Sequence, residues 1–165
     1  MATAAQRTHL HALAELLIAR EPQVDYPPHD VRTAADLATF KLTEQQLHNL
    51  LERGGHIQAD CSEMVTELCR WAGLADPNGL NYSYAGYTGT MLAHLPHYTN
   101  PQQAKVGALV VFGPGTGEHV CMVMTPGADP VLFSHGQEAG PIAIPLSDER
   151  RAHNPPVTFL SIASL

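Results

Sequence analysis

The sequence has few charged residues and no excess of basic ones. Charged side chains make up 15% of its 165 residues, and nine lysines and arginines against sixteen aspartates and glutamates give a formal net charge of −7. A chain of this charge lacks the basic surface that sequence-independent phosphate binding requires, so nucleic acid is excluded as a predicted partner. The same charge disfavours adhesion to an anionic membrane or cell wall.

Long apolar runs are also missing. The longest is Ala108–Phe112, far short of the roughly 20 residues that a membrane helix needs. Charged and imidazole side chains interrupt the apolar stretch Leu10–Ala19, so no secretion signal is predicted. We therefore expect a soluble protein that has no membrane partner.

Cysteine is scarce, and its count is odd. Three cysteines in a chain long enough to close one sizeable core argue against a disulfide framework and leave at least one thiol free. The length is too short for two ordinary domains. We expect one domain over residues 1–165, with residues 1–25 as a helical extension.

Helical patterns come first in the chain and strand patterns follow. The helical segments are Leu10–Ile18, Thr33–Phe40, the stretch between Thr43 and Gly54, and Asp60–Gly73. A long loop is predicted from Asp76 to Gly89, and strands are predicted at Val106–Phe112, His119–Met124, Val131–His135, Pro141–Leu146 and Val157–Ile162. This order predicts an α+β fold in which N-terminal helices pack on an antiparallel sheet of about five strands.

Cys61 is the candidate nucleophile. It follows the predicted N-cap Asp60, and Glu63 stands where a capping box would be completed. The amides and dipole of a helix N-terminus favour an anion, which makes a thiolate available there. Cys69 and Cys121 lie within apolar patterns, so we expect them to be buried structural residues.

His119 is the candidate base, because it begins a strand directly after a glycine-rich turn. A hairpin with Thr125–Asp129 as its loop would place His135 opposite His119 on the same face, close enough for one imidazole to orient the other. A register one residue off would turn the two histidines to opposite faces. In that case Glu138 and Asp129 are the next candidates for the orienting residue.

The other histidines and the glycine-rich turn carry no comparable signal. A metal site could be drawn from His94 and His97, or from His119, Cys121 and His135, but no zinc-binding spacing is present and no metal is predicted. The Gly113–Gly117 segment lacks the ending of a phosphate-binding loop. Six histidines are predicted to be exposed surface residues: His11, His29, His48, His94, His97 and His153.

Three short motifs resemble the signatures of a known family. Asp60-Cys61-Ser62, the run Gly107–Phe112 and His119-Val120 resemble the Asp-Cys-Ser, Gly-Asp-Leu-Val-Phe-Phe and His-Val-Gly motifs of NlpC-type cell-wall peptidases, a papain-like group. The stretches most similar to the N-terminal peptidase modules of endolysins from phages of mycobacteria and related actinobacteria are Asp60–Leu80, Tyr84–Leu92, Gly113–Val120 and Phe133–Gly136. This likeness covers the chain from about Tyr26.

The resemblance implies a papain-like α+β fold, no cofactor and a peptidoglycan hydrolase that cuts the stem peptide at the bond between D-glutamate and diaminopimelate. It implies a monomer made in the host cytoplasm, released by a holin-type step and linked to a cell-wall-binding module in a longer parent chain. The implied catalytic residues are Cys61, His119 and His135, and the implied substrate-binding residues are Asp60, Ser62, Tyr84 and Tyr87.

The sequence departs from the family pattern at three places. Glu63 and Ala108 replace the usual Gly and Asp, and the usual tyrosine before the Gly54–Gly55 turn is missing, with Tyr26 as the candidate to replace it. Other functions therefore stay open. They are a papain-like acyltransferase or deamidase acting on protein, a zinc-dependent amidase, and a non-catalytic interaction domain.

Overall fold

A computed structural model describes residues 2–28, 32–136 and 140–164, which form a mixed α+β fold. Its helices are α1 (Ala4–Ala19), α2 (Ala34–Phe40), α3 (Glu44–Glu52), α4 (Cys61–Trp71), α5 (Thr88–His94) and α6 (Leu146–Ala152). Its strands are β1 (Val24–Asp25), β2 (Ile57–Gln58), β3 (His97–Tyr98), β4 (Leu109–Phe112), β5 (His119–Thr125), β6 (Val131–Ser134), β7 (Ile142–Pro145) and β8 (Val157–Leu160). None of the described helices is long and apolar enough to cross a bilayer.

Six of these strands form one antiparallel sheet in the order β3-β8-β4-β5-β6-β7, and β1 pairs with β2 in a small parallel sheet. The predicted antiparallel arrangement is confirmed, and the five predicted strands correspond to β4 to β8. The sixth strand, β3, has two residues and leaves no periodic pattern in the sequence.

Both faces of the sheet are buried, which explains the uninterrupted apolar runs of its central strands. Val111 and Val120 belong to the larger core, which the sheet shares with α1, α3 and α4. Val110 and Cys121 belong to a smaller core on the opposite face, together with Leu146 at the start of α6. The chain therefore has three layers, with the sheet in the middle.

Helix α4 begins at Cys61 because Asp60 caps it. The Asp60 Oδ1 atom accepts a hydrogen bond of 2.8 Å from the Glu63 backbone N–H, which satisfies one of the free amides of the first turn. The predicted return contact from the Glu63 side chain is wrong. That carboxylate is buried near the Tyr84 hydroxyl and has no well-aligned hydrogen-bond partner among the described residues. Burial raises the pKa of Glu63 to about 8.

The predicted register of the β5–β6 hairpin is wrong by one residue. A register with His135 opposite His119 would place Leu132 opposite Met122, whereas Phe133 lies there. Next to the turn, Thr125 pairs with Val131, which is two residues from the predicted register, and a β-bulge between Val123 and Thr125 removes one of these two residues. The remaining offset of one residue turns His119 and His135 to opposite faces.

Helices α5 and α6 were not predicted. The charged segment Ser147–Arg151 indicates a solvent-exposed stretch, yet it forms most of α6. Asp129 stabilises the start of this helix, since its carboxylate accepts from the Ser147 N–H at 2.8 Å and from the Ser147 Oγ at 2.6 Å. Asp129, one of the two alternative orienting residues, is thus engaged away from His119. The other, Glu138, lies outside the described residues, as does His29.

Candidate active site

Cys61 is the least covered of the three free thiols. It is the first residue of α4 and is 7% exposed, whereas Cys69 and Cys121 are fully buried. Burial raises the pKa of Cys69 to about 12 and also raises the pKa of Cys121. The placement of Cys61 at a helix N-terminus is the one that the sequence predicts for a nucleophile.

This difference predicts the order of thiol reactivity. In the native protein at neutral pH, iodoacetamide should modify Cys61 at least about tenfold faster than Cys69 or Cys121, because only deprotonated, accessible thiols react. Peptide mass spectrometry after timed labelling measures the three rates. Labelling in denaturant should remove the difference, and equal rates in the folded protein would contradict the assignment of Cys61.

His119 lies between Cys61, which belongs to the α4 side of the sheet, and Ser134 and Glu149, which lie on the α6 side. It is the first residue of β5, so its ring lies at the end of the strand, close enough to the Cys61 side chain for Cys61 to raise the pKa of the ring. Its Nε2 atom lies 3.0 Å from the Ser134 Oγ and 3.2 Å from the Glu149 Oε1. Because Nε2 faces these two residues, Nδ1 is the nitrogen available to the thiol.

Glu149 of α6 contacts His119 and was not predicted from the sequence. It is 3% exposed, and its Oε1 accepts a 2.8 Å hydrogen bond from the Ser134 hydroxyl. Burial alone would raise its pKa, but hydrogen bonds from His119 and Ser134 outweigh burial and lower the pKa to about 2. The only sequence signal for it is its spacing of three residues from Leu146, which puts both on the inner face of one helix turn.

The protonation of His119 follows from the same contacts. Burial by itself would lower its pKa, but Cys121, Cys61 and Glu149 stabilise the protonated ring and raise the pKa well above the ordinary value. These contacts therefore favour an imidazolium next to the Glu149 carboxylate. A carboxylate in this position fixes the ring and stabilises its positive charge.

His135 does not occupy the position expected of it. Its Nε2 lies 2.9 Å from the Ala59 carbonyl oxygen, and its ring packs against Tyr26 with centroids 5.4 Å apart. The hydrogen bonds of His119 among the described residues go to other partners, since the register turns the two histidines to opposite faces. His135 thus supports the turn before α4. The position next to His119 that was predicted for His135 is occupied by Glu149.

His153 is also placed differently from its prediction as an exposed residue. It is partly buried, its ring stacks on that of His119 with centroids 4.4 Å apart, and its Nε2 lies 3.2 Å from the Glu149 Oε1. It follows α6 directly, so the short helix brings both Glu149 and His153 to His119.

Tyr26 lies next to the nucleophile. Burial and, after it, the nearby Cys61 raise the pKa of the Tyr26 hydroxyl above its usual range, so the hydroxyl stays protonated. A protonated hydroxyl at this point is a hydrogen-bond donor beside the Cys61 sulfur. This position suits the predicted replacement of the missing family tyrosine.

Two of the four predicted substrate-binding residues are engaged at the start of α4. The Ser62 hydroxyl donates to the Asp60 Oδ1 at 2.7 Å, and the Asp60 Oδ2 lies 3.7 Å from the Arg32 Nε. Ser62 is buried, so its contacts are those of the helix cap. A direct role in substrate binding stays a prediction for both residues.

The other two, Tyr84 and Tyr87, lie on the loop between α4 and α5. The Arg32 guanidinium covers the Tyr84 ring at 4.9 Å and donates to the carbonyl oxygens of Tyr84 and Gly86. Tyr87 is 48% exposed. Arg32 therefore ties this tyrosine loop to Asp60 and the nucleophile helix.

A pocket of about 520 Å³ opens beside His119. This volume is in the range of small-molecule sites. Apolar side chains of β7 form one wall and titratable groups form the other. The lining residues are Tyr26, Glu118, His119, Gly136, Ile142, Ile144, Glu149, Ala152 and His153.

Comparison with known proteins does not assign this site. No protein-family model matches the chain. No curated protein is significantly similar to it. The function is therefore inferred from the geometry around His119 together with the motif resemblance.

Proposed function

We propose that this chain is a papain-like cysteine hydrolase that cuts the stem peptide of bacterial peptidoglycan. The observation that carries the proposal is one buried imidazole, His119, between the thiol of Cys61 and the carboxylate of Glu149. A nucleophile, a base and a group that orients the base are the minimal set for covalent acyl transfer. The helix-borne cysteine and strand-borne histidine also agree with the order of residues in the papain-like group.

In the first half of the reaction, the Cys61 Sγ attacks the carbonyl carbon of the scissile amide. The proton that Cys61 has given to His119 passes from the ring to the amide nitrogen, so the amine leaves and a thioester remains. Glu149 stabilises the imidazolium in between. Tyr26 supplies a hydroxyl donor beside the sulfur.

In the second half, a water molecule gives its proton to His119 and attacks the thioester carbon. The carbon–sulfur bond breaks and the new carboxylic acid departs, losing its own proton to solvent, while the proton on His119 is again shared with the Cys61 sulfur. No step requires a Lewis acid, because the thiol and the imidazole perform both proton transfers.

The proposed substrate is the bond between D-glutamate and diaminopimelate. Its support is the resemblance of the motifs at Asp60–Ser62, Gly107–Phe112 and His119–Val120 to those of cell-wall peptidases. The carboxylates of Glu118 and Glu149 line the pocket at His119, where they suit a substrate that carries an amine.

The direct test is digestion of purified cell walls, followed by mass spectrometry of the released peptides. We expect new diaminopimelate amino termini and D-glutamate carboxyl termini, at a rate that does not fall when EDTA is added. Activity that EDTA abolishes and zinc restores would establish the zinc-dependent amidase instead. Intact walls, together with deamidation or acyl transfer on a protein substrate, would establish the second alternative.

A further inference from the structure

The atoms around Glu149 have the spacing of metal ligands. One ring nitrogen of His119, the Cys121 Sγ and one carboxylate oxygen of Glu149 all lie within 4.8 Å of one another. The Glu149 oxygen is 3.2 Å from the nitrogen and 3.5 Å from the sulfur. A tetrahedral zinc ion, with bonds of about 2.0 Å to nitrogen and oxygen and about 2.3 Å to sulfur, needs separations of about 3.3 Å and about 3.5 Å.

We propose that His119, Cys121 and Glu149 bind Zn²⁺ and that this ion inhibits the hydrolase reversibly. In the metal-free protein the same separations are spanned by hydrogen bonds, and the metal takes the place of the protons. A donor set of one thiolate, one imidazole and one carboxylate selects zinc over calcium or magnesium, which prefer oxygen ligands.

The charge of the site favours a divalent cation. The Cys121 thiolate and the Glu149 carboxylate together carry two negative charges, which one Zn²⁺ neutralises. All three ligands are buried, so a neutral complex is much less costly there than separated charges.

The ion can reach this position through the pocket beside His119. That pocket is lined by His119 and Glu149, and the Cys121 Sγ lies 3.5 Å from the Glu149 Oε1. The Ser134 hydroxyl lies 2.8 Å from the Glu149 Oε1 and 3.0 Å from the His119 Nε2, so an oxygen is present for the fourth position.

Inhibition rests on the proposed function. A metal on Nε2 occupies the nitrogen that Glu149 orients and prevents formation of the imidazolium, so His119 can no longer move a proton between Cys61 and the leaving amine. Cys61 is not one of the three ligands in this arrangement. The metal would therefore bind one ring nitrogen of His119 while Cys61 uses the other, so metal binding and catalysis can be tested separately.

Cobalt(II) titration tests the site without measuring activity. In the Cys61→Ala protein the remaining thiols are Cys69 and Cys121, so a thiolate-to-cobalt absorption band must come from one of them. We expect the band in Cys61→Ala and in Cys61→Ala/Cys69→Ala, and its loss in Cys61→Ala/Cys121→Ala. Glu149→Gln in the Cys61→Ala background should weaken cobalt binding by about tenfold or more. No band in Cys61→Ala, or a band that survives Cys121→Ala, would overturn the proposal.

Zinc inhibition of wall digestion gives the second readout, with each variant compared with its own metal-free rate. The half-inhibiting zinc concentration should rise by about tenfold or more in Cys121→Ala and stay unchanged in Cys69→Ala. Equal zinc sensitivity of the two variants would place the inhibitory metal elsewhere and refute the assignment. A wild-type protein that binds cobalt but releases no wall peptide would refute the proposed function and leave the metal site standing.

Discussion

Replacing Cys61 with alanine should lower the release of wall peptides by roughly 10⁴-fold or more, the scale seen when a covalent nucleophile is removed. The change deletes one sulfur atom at the first position of α4 and leaves the Asp60 cap in place. Initial rates of peptide release by mass spectrometry measure the effect.

Cys69→Ala is the matched control for this variant. Cys69 is a free thiol of the same helix, fully buried and on the core side, so its replacement changes packing but not chemistry. It should keep activity within about threefold and lose stability by about 1 kcal/mol. Wall cleavage that survives Cys61→Ala would exclude a thiol mechanism at this residue.

The next largest effect is expected for Glu149→Gln. The amide keeps the shape of the side chain but cannot stabilise the imidazolium, so kcat should fall by about 10²- to 10⁴-fold with little change in KM. Without the carboxylate the pKa of His119 falls, so the alkaline limb of the pH–rate profile should move to lower pH. A variant that loses activity with an unchanged profile would indicate a purely structural role.

His135→Ala separates the two candidate orienting residues. Because the His135 ring meets the Ala59 carbonyl and Tyr26, its loss should reduce kcat by less than Glu149→Gln does and should leave the alkaline limb in place. A larger loss in His135→Ala would favour the pairing of histidines that the sequence suggests.

Glu149 should also make the free energy of unfolding decrease at acidic pH. Its pKa is lowered from 4.5 to about 2 in the folded state, so its contribution to stability is present above about pH 4.5 and is lost as the pH falls towards 2. Urea unfolding between pH 6 and pH 2 should show a smaller loss of the free energy of unfolding in Glu149→Gln than in the wild type.

The sequence predicts the main helices and strands because most of the patterns that specify them involve residues close together in the chain. The apolar runs of β4 and β5 and the Asp60 cap depend on neighbouring residues, and they were placed correctly. The β-bulge after Val123 depends on how the turn meets the sheet, which no periodicity records.

The candidate site likewise combines residues that local sequence patterns predict with a residue that only tertiary packing places. Cys61 and His119 stand at the starts of their elements, where the sequence marks a helix cap or a turn. Glu149 belongs to a charged segment, and only the packing of α6 on the sheet turns its carboxylate inwards. A local pattern could not give this contact, since it depends on three elements meeting in space.

The proposed hydrolysis requires the completely folded chain, because His119 lies between two layers. Cys61 arrives with the helices on one face of the sheet and Glu149 with α6 on the other. Under the proposed mechanism, a chain with only one of these layers docked contains Cys61, His119 and Glu149 but does not bring them together. Recovery of the proposed hydrolysis during refolding should therefore follow the docking of both layers on the sheet, and not the formation of the sheet alone.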